Sequence, residues 1–205
     1  MNPDDFQRAR KRLWNELVAL HDTWAQYEYL FTESNERIRL LNCCARWFFG
    51  TTQRVLMREV ILGVSRLTDP PKRGPFSNLT IASLLDDPAI HDVPGLGDEI
   101  SSACEALKQK VDPIRKSRDK FIAHLDWEAA VKPTDELIPG IPKGLIGFVI
   151  QDLGRIYNLH GARTVDQHAS FKLEPAGSPK SLISILEQSS EWQDCQEYEA
   201  RKSAT

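Results

Sequence analysis

Residues 100–125 read ISSACEALKQKVDPIRKSRDKFIAHL, and the spacing of the apolar residues in this stretch decides the fold. Apolar side chains recur every three or four positions, which places them along one face of a helix. The positions of this stripe are Ile100, Cys104, Leu107, Val111, Ile114, Arg118, Phe121 and Leu125. The pattern predicts a long amphipathic helix in which Arg118 occupies a slot where an apolar residue is expected.

A guanidinium group in an apolar stripe needs a physical explanation. Arginine keeps its charge at every physiological pH, so burying it without a partner costs on the order of several kcal/mol. Arg118 therefore needs an acidic partner, a crevice or a second subunit. His124 flanks the same stripe six residues later, so the two residues form a candidate site.

Spacing alone does not single out this pair, because Arg155 with His160 and Arg163 with His168 are separated by similar distances in the sequence. The context separates them. Only the first pair combines a position in the stripe with an adjacent carboxylate, Asp119, and a basic cluster. The members of that cluster are Arg115, Lys116, Arg118 and Lys120. We therefore rank the other two pairs far lower.

The size and charge of the chain limit the functions to consider. A chain of 205 residues, 41% of them hydrophobic, is long enough for one sizeable core. We predict a helical domain over residues 1–165 and a C-terminal extension over residues 166–205 with a short helix and a frayed end. A net charge of −3 gives no general attraction to polyanions, so contact with nucleic acid requires a local basic patch.

The cysteines, Cys43, Cys44, Cys104 and Cys195, do not have the spacing of a zinc site. An adjacent cysteine pair in an apolar helix is typical of small buried side chains. The sequence therefore predicts neither a metal nor another cofactor. It also contains no apolar signal sequence and no apolar run of about 20 residues, so we expect a cytoplasmic protein without a membrane anchor.

Two further long helices precede the stripe. The first extends from Phe6 to Phe31, with Asn2 or Asp4 available as a cap. The second is capped by Ser34 and ends at two consecutive prolines, Pro70 and Pro71. Apolar residues also lie off its main stripe, which indicates packing on more than one side; these are Leu40, Trp47, Leu56 and Val60.

The remainder of the chain alternates between loops and helices. Residues 69–97 form an irregular excursion with one short helical stretch from Thr80 to Asp86, which Asn78 could cap. The helix of the stripe begins near Asp98, and Pro113 either kinks or restarts it. A fourth helix covers residues 146–159 and a short amphipathic piece covers residues 182–186. Four long helices without a convincing strand predict an all-α fold.

Several segments of the sequence resemble one known family. They read WAQYEYLF at residues 24–31, RLLN at 39–42, FFG at 48–50, SRLTDPPK at 65–72 and IRKSRDKFIAHLD at 114–126. In these segments the chain resembles the HEPN superfamily of nucleotide-binding and ribonuclease domains, and within it the AbiU-like abortive-infection branch. The resemblance extends over most of residues 20–165. It implies an antiparallel four-helix bundle with short extra helices and an irregular loop excursion.

The motif of that family is an arginine, usually followed by a polar residue, with a histidine four to six residues further on. Arg118, Asp119 and His124 match it. The resemblance implies metal-independent RNA cleavage of the toxin or phage-defence type. It also implies a site that two copies of the motif complete at a homodimer interface, and an antitoxin or another regulatory protein as a further partner.

The chemistry of these residues fits such a role. His124 can take the proton from a ribose 2′-hydroxyl, because imidazole titrates near neutral pH. Arg118 can stabilise the charge that develops on the phosphate, while Asp119 orients one of these two groups. The cations Arg115, Lys116 and Lys120 are candidates for binding RNA phosphates. Six residues turn a helix by about 240°, so Arg118 and His124 converge more naturally across a dimer than within one chain.

Two other interpretations stay open. In the first, Arg118 pairs with an acidic residue of a neighbouring helix and the basic cluster is an ordinary solvated surface. In the second, the protein is a catalytically inactive helical dimer that acts as a protein- or nucleic-acid-binding interaction module. Tryptophans at helical spacing, such as Trp47, could stack on the bases of a nucleic acid, but such residues more often lie in the core, and we expect the same here.

Overall fold

A computed structural model describes residues 2–123, 141, 142, 144–171 and 178–203 of the chain. The fold is all-α, as predicted. In chain order, its elements are α1 (Pro3–Phe31), α2 (Asn35–Thr68), β1 (Lys72–Arg73), β2 (Phe76–Ser77), two 3₁₀ helices (Ile81–Asp86 and Pro88–Asp92), α3 (Leu96–Arg118), a π-helical turn (Asp119–Ala123), α4 (Leu145–Thr164), α5 (Pro179–Glu187) and α6 (Ser190–Ser203). The two short strands pair antiparallel as a small hairpin.

The predicted starts and stops of the first two helices are confirmed. The side chain of Asn2 accepts a hydrogen bond from the backbone N–H of Asp4 at 3.1 Å, before the first turn of α1. Ser34 accepts from the backbone N–H of Arg37 at 3.2 Å and caps α2. Because proline cannot continue a helix, α2 ends at Thr68, two residues before Pro70.

The short helix in the loop excursion has a different cap from the one we expected. It is a 3₁₀ helix that begins at Ile81, and the Ser83 hydroxyl accepts from the backbone N–H of Thr80 at 3.1 Å. The side chain of Asn78 instead donates to the carbonyl of Pro70 at 2.9 Å. Asn78 therefore closes the loop back on the end of α2 rather than capping a helix.

Two helix boundaries also differ from the expectation. α3 begins at Leu96, two residues early, and continues through Pro113, so this proline does not restart the helix. The sequence did not predict α6, because most residues of this helix are polar. Trp192 is the apolar residue that this helix buries in the core. Such a helix has too narrow an apolar stripe for periodicity to detect it.

The described residues form two compact units. Unit 1 contains Met1–His21 and Arg58–Phe171. In its core, α1, α2, α3 and α4 each contribute buried apolar side chains, including Leu13, Leu17, Val60, Ile61, Ile100, Leu107, Val111, Ile114, Val149 and Leu153. The stripe predicted along α3 is therefore confirmed up to Ile114, while Leu125 lies outside the described residues. The predicted domain boundary at residue 165 remains a prediction.

Unit 2 contains Asp22–Met57 and Lys172–Thr205. Its buried residues include Tyr27, Leu30, Leu40, Leu41, Phe49, Ile183 and Trp192. Cys43 and Cys195 form a disulfide across 152 positions of sequence, whereas Cys44 and Cys104 are free thiols. The interpretation of Cys43 as a plain buried side chain was wrong, because sequence spacing cannot reveal a partner so far along the chain.

The position of Trp47 differs from the prediction that it lies in the core. Its side chain is 88% exposed, although Leu40 and Val60, which lie off the main stripe with it, are buried as predicted. The helical dihedral angles of α2 are interrupted at Ala45, with φ −160° and ψ 64°. This interruption changes the direction of the side chains that follow, so one periodicity cannot describe both halves of α2.

Within the described ranges, no helix combines the length and the apolar character that crossing a membrane requires.

Candidate functional site

Arg118 is the last residue of α3, where the helix passes into the π-helical turn of Asp119–Ala123. Single π-helical turns are rare and occur frequently at functional sites. Ile114 and Ser117 on the same turn of α3 are buried, and the Arg118 side chain is only 19% exposed. The arginine therefore lies at the edge of the core of unit 1, with its guanidinium in partial contact with solvent.

Asp69 is the first partner of Arg118. It follows the last residue of α2, and its backbone N–H donates to the carbonyl of Ser65 at 2.8 Å. Nη1 of Arg118 donates to Oδ1 of Asp69 at 3.2 Å. The carboxylate thus comes from another helix end, 49 positions earlier in the sequence.

Asp119 is the second partner. Nε of Arg118 donates to Oδ1 of Asp119 at 2.8 Å. The two carboxylates hold the guanidinium from two directions, which fixes the plane of the group. Asp119 therefore contacts the guanidinium that it was predicted to orient, and its role in a catalytic site stays a prediction.

Arg115 supports the same corner of unit 1 from one turn earlier in α3. Its guanidinium donates to the backbone carbonyl of Thr68, and its Nε lies 3.7 Å from Oδ1 of Asp69. A cation at the C-terminal end of a helix satisfies an unpaired carbonyl and opposes the negative end of the helix dipole. Arg115 therefore joins α3 to the end of α2, and its predicted contact with RNA phosphates stays a prediction.

The electrostatics of Arg118 reflect this arrangement. Burial alone would lower the pKa of Arg118, but its hydrogen bond to Asp119 and the charges of Asp69 and Asp119 raise the pKa above its ordinary value. The group is a permanent cation. Two arginines face two aspartates here, so the cluster is close to neutral before any ligand binds.

A cleft of about 320 Å³ opens beside this cluster. Its lining includes the polar residues Thr68, Asp69 and Arg115 and the apolar residues Pro71, Ile81 and Leu85. The cleft therefore offers both charged and apolar surface within unit 1.

The other predicted site residues have separate environments. Lys116 is exposed and pairs with Asp112 of the preceding turn at 2.6 Å, and Lys120 is exposed on the π-helical turn. His124 lies outside the described residues. The structure thus brings together Arg118, Asp119 and Arg115, and it adds Asp69, which sequence reasoning missed.

The two lower-ranked pairs each place their arginine and their histidine in different environments. Arg155 is exposed and donates to Asp152 at 3.1 Å, whereas His160 is fully buried. Arg163 lies 3.8 Å from Glu99, and His168 is exposed. The side chains therefore have different surroundings within each pair, and the low rank of both pairs stays a prediction.

His160 has a structural role instead. Its Nε2 lies 2.8 Å from Oδ2 of Asp87, and Asp87 also accepts from the backbone N–H of Ala89 at 3.0 Å. Burial lowers the pKa of His160, and the nearby carboxylate of Asp87 only partly opposes this effect. A neutral imidazole that donates to Asp87 therefore holds α4 to the 3₁₀ helix of Pro88–Asp92.

Among the residues that the structure describes, no three His, Cys, Asp or Glu side chains lie close enough together to hold a metal ion.

One signal could have identified Asp69 from the sequence. It lies within the segment SRLTDPPK, one of the stretches that carry the family resemblance. The two prolines after it account for the end of the helix, so they give no sign that the carboxylate pairs with Arg118.

Comparison with known proteins gives one match. Residues 3–138, more than half of the chain, match the family model of HEPN proteins that is described as AbiU2. No curated protein and no solved structure matches the chain.

Proposed function

Because the chain belongs to the AbiU2 family of HEPN proteins, we propose that it is a metal-independent RNA endonuclease of abortive-infection or toxin type. One observation carries the proposal. Arg118 of the family motif is a partly buried cation that two carboxylates hold in a fixed orientation.

The proposed reaction uses the nucleophile of the RNA itself. His124 takes the proton of a ribose 2′-hydroxyl, whose oxygen attacks the adjacent phosphorus. The bond from phosphorus to the 5′ oxygen breaks, and the leaving oxygen takes up a proton, which the imidazolium of His124 returns directly or through water. The products are a 2′,3′-cyclic phosphate and a 5′-hydroxyl.

Arg118 stabilises the transition state of this reaction. Its guanidinium has five N–H donors, more than the two carboxylate contacts require. The remaining donors can bind the phosphoryl oxygens, on which negative charge develops during attack. Asp69 and Asp119 act as positioning residues, because they set the direction of these donors.

The complete site requires two chains in our proposal. Arg118 and His124 are six residues apart, and on a regular helix their side chains point in different directions. A two-fold dimer in which His124 of one chain approaches Arg118 of the other removes this difficulty. The exposed cations Lys116 and Lys120 then attract RNA towards the interface, in the cytoplasm, under the control of an antitoxin or another regulatory protein.

A second candidate function is a catalytically inactive interaction module. The observation that favours it is the same pairing of Arg118 with Asp69 and Asp119, because two carboxylates compensate two arginines. If an RNA phosphate cannot compete with Asp69 for the guanidinium of Arg118, the cluster serves only to hold α3 against the end of α2.

An RNA cleavage assay separates the two candidates. Purified protein is incubated with total RNA in excess EDTA beside Arg118→Ala, with Arg155→Ala as the matched control. Arg155 is suited to this purpose because it also pairs with an aspartate but lies on the surface of α4. We expect cleavage by wild type and Arg155→Ala only. Absence of cleavage by wild type supports the interaction module.

A further inference from the structure

Unit 2 carries an exposed aromatic surface that the proposed cleavage site does not use. It lies on α2 after the interruption at Ala45. Trp47 is 88% exposed, Phe48 is 64% exposed and Val55 is 57% exposed. Large apolar side chains seldom face solvent together without a partner, so this surface indicates a binding site.

Helical spacing places these residues next to one another. Trp47, Thr51 and Val55 follow at intervals of four, so they share one face of α2. The ring of Phe48 stands edge-on against the buried Phe49, with ring centroids 5.1 Å apart and planes at 82°. Phe48 is therefore held in place on the helix although its outer face is free.

Two arginines flank the aromatic side chains. Arg46, Gly50 and Arg54 also follow at intervals of four, which gives a row beside Trp47 that is about 12 Å long. Arg54 donates to Thr51 at 3.0 Å, and its guanidinium lies 3.9 Å from the position that a Cβ of Gly50 would take.

The charge of this segment identifies the class of partner. Residues 37–58 contain no aspartate, glutamate or lysine, and their five arginines are Arg37, Arg39, Arg46, Arg54 and Arg58. The whole chain has a net charge of −3, so the positive charge here is local. Of these arginines, Arg46 and Arg54 are exposed beside Trp47, and residues 46–57 contain no acidic side chain, so this stretch of α2 is complementary to a polyanion.

We propose that Arg46, Trp47, Phe48 and Arg54 form a binding surface for single-stranded RNA. Aromatic side chains that stack on bases beside arginines that contact the backbone are the combination that single strands require. Base-paired RNA buries the faces of its bases, so this surface does not stack on it. The inference rests on the proposed function only for its choice of RNA as ligand.

The experiment measures binding separately from cleavage. The probe is a fluorescein-labelled 20-mer of 2′-O-methyl uridine, which cannot be cut because its 2′ oxygen carries no proton. Fluorescence anisotropy gives the affinity of the full chain at several salt concentrations. Circular dichroism and the melting temperature of each variant confirm that it is folded.

The aromatic side of the surface is tested with Trp47→Ala. We expect the affinity to fall about 5- to 150-fold, which is the typical contribution of one stacked base. The matched control is Tyr198→Ala, because Tyr198 is also an exposed aromatic residue of unit 2 but has the acidic Asp194 and Glu197 nearby on α6. Its affinity should match that of wild type.

The arginines are tested through the salt dependence. Each of Arg46→Ala and Arg54→Ala should make the slope of log affinity against log salt about 0.7 less steep, since one phosphate contact is lost. Arg201→Ala is the control, because Arg201 is exposed on α6 and pairs with Glu197. It should leave the slope unchanged.

Three results would overturn the inference. Affinity that is unchanged in Trp47→Ala excludes stacking, and slopes that are unchanged in both arginine variants exclude phosphate contact. A change of oligomeric state in Trp47→Ala with normal RNA binding assigns the surface to a protein contact. Cleavage of unmodified RNA is measured in parallel, so an inactive protein that still binds through Trp47 contradicts the proposed function alone.

Discussion

Arg118 of α3 donates to Asp69 at the end of α2 across 3.2 Å, and the same guanidinium donates to the adjacent Asp119 at 2.8 Å. The positive charge of Arg118, which interrupts the apolar stripe of α3, is therefore compensated by two carboxylates of the same chain. The partial exposure of the arginine leaves room for a ligand on its remaining side.

The first prediction concerns Asp69 as a positioning residue. Asp69→Asn removes the charge that directs Arg118, so we expect RNA cleavage to fall about 10- to 100-fold, since small misplacements of a catalytic group have effects of this size. The free energy of unfolding should fall by about 1–2 kcal/mol, because Asp119 still pairs with the arginine. Single-turnover cleavage and urea unfolding measure the two effects.

Asp152→Asn is the matched control for this variant. Asp152 also lies in unit 1 and also joins two cations, Lys110 at 2.6 Å and Arg155 at 3.1 Å. It should leave the rate of cleavage unchanged. If Asp69→Asn also cleaves RNA at the wild-type rate, Asp69 has only a structural role.

The second prediction concerns the composite site. The chain has a mass of 23.3 kDa, so sedimentation at micromolar concentration should give about twice this mass. Arg118→Ala and His124→Ala should each be inactive alone but recover part of the activity when co-expressed, because a mixed dimer contains one intact pair. A monomer at micromolar concentration would rule out the two-chain site.

The third prediction concerns the pH dependence of stability. Burial keeps the pKa of His160 below its value in the unfolded chain, where it is about 6.5. The unfolded state therefore binds the proton first as the pH falls. The stabilisation is fully present above pH 6.5 and is lost as the pH falls from there through the lower folded-state pKa.

Chemical unfolding at pH values between 5 and 8 tests this prediction. His160→Gln should make the curve flatter in this range, whereas the exposed His168→Gln should leave it unchanged. His160→Ala is expected to lower the free energy of unfolding by about 2–4 kcal/mol, because it leaves a cavity and removes the partner of Asp87. An identical pH dependence in wild type and His160→Gln would contradict the assignment.

The fourth prediction concerns the disulfide between Cys43 and Cys195. In protein purified without reductant and then unfolded, alkylation should label only Cys44 and Cys104; after reduction it should label all four cysteines. Reduction should lower the free energy of unfolding by about 2–5 kcal/mol, since the bond closes a long loop. Four labelled cysteines without reduction would show that the bond does not form.

The sequence was sufficient for the parts of the fold that periodicity controls. The stripe from Ile100 to Ile114 and the caps at Asn2 and Ser34 depend on neighbours within a few residues. The cap of the loop helix was harder to assign, because Asn78 has two possible partners and only the position of Pro70 decides between them. The residues next to one another in the sequence therefore predict where helices begin and end, but they do not determine which distant residues a side chain contacts.

The candidate site shows the same limit. Arg118 and Asp119 were identified by motif and context, and their contact follows from adjacency. Asp69 was missed because it lies 49 positions away, on a different helix end. The exposed Trp47 was misjudged for a related reason, since the interruption at Ala45 redirects the second half of α2.

The most direct test of the central proposal is the chemistry of the RNA ends. We predict that wild-type protein in excess EDTA produces 2′,3′-cyclic phosphates on a defined RNA, detected by mass spectrometry. Arg118→Ala and His124→Ala should each slow this reaction about 10²- to 10⁴-fold, the usual contribution of a general base or of a charge-stabilising group. Cleavage that disappears with chelator, gives 3′-hydroxyl ends, or proceeds at the wild-type rate in His124→Ala would contradict the account.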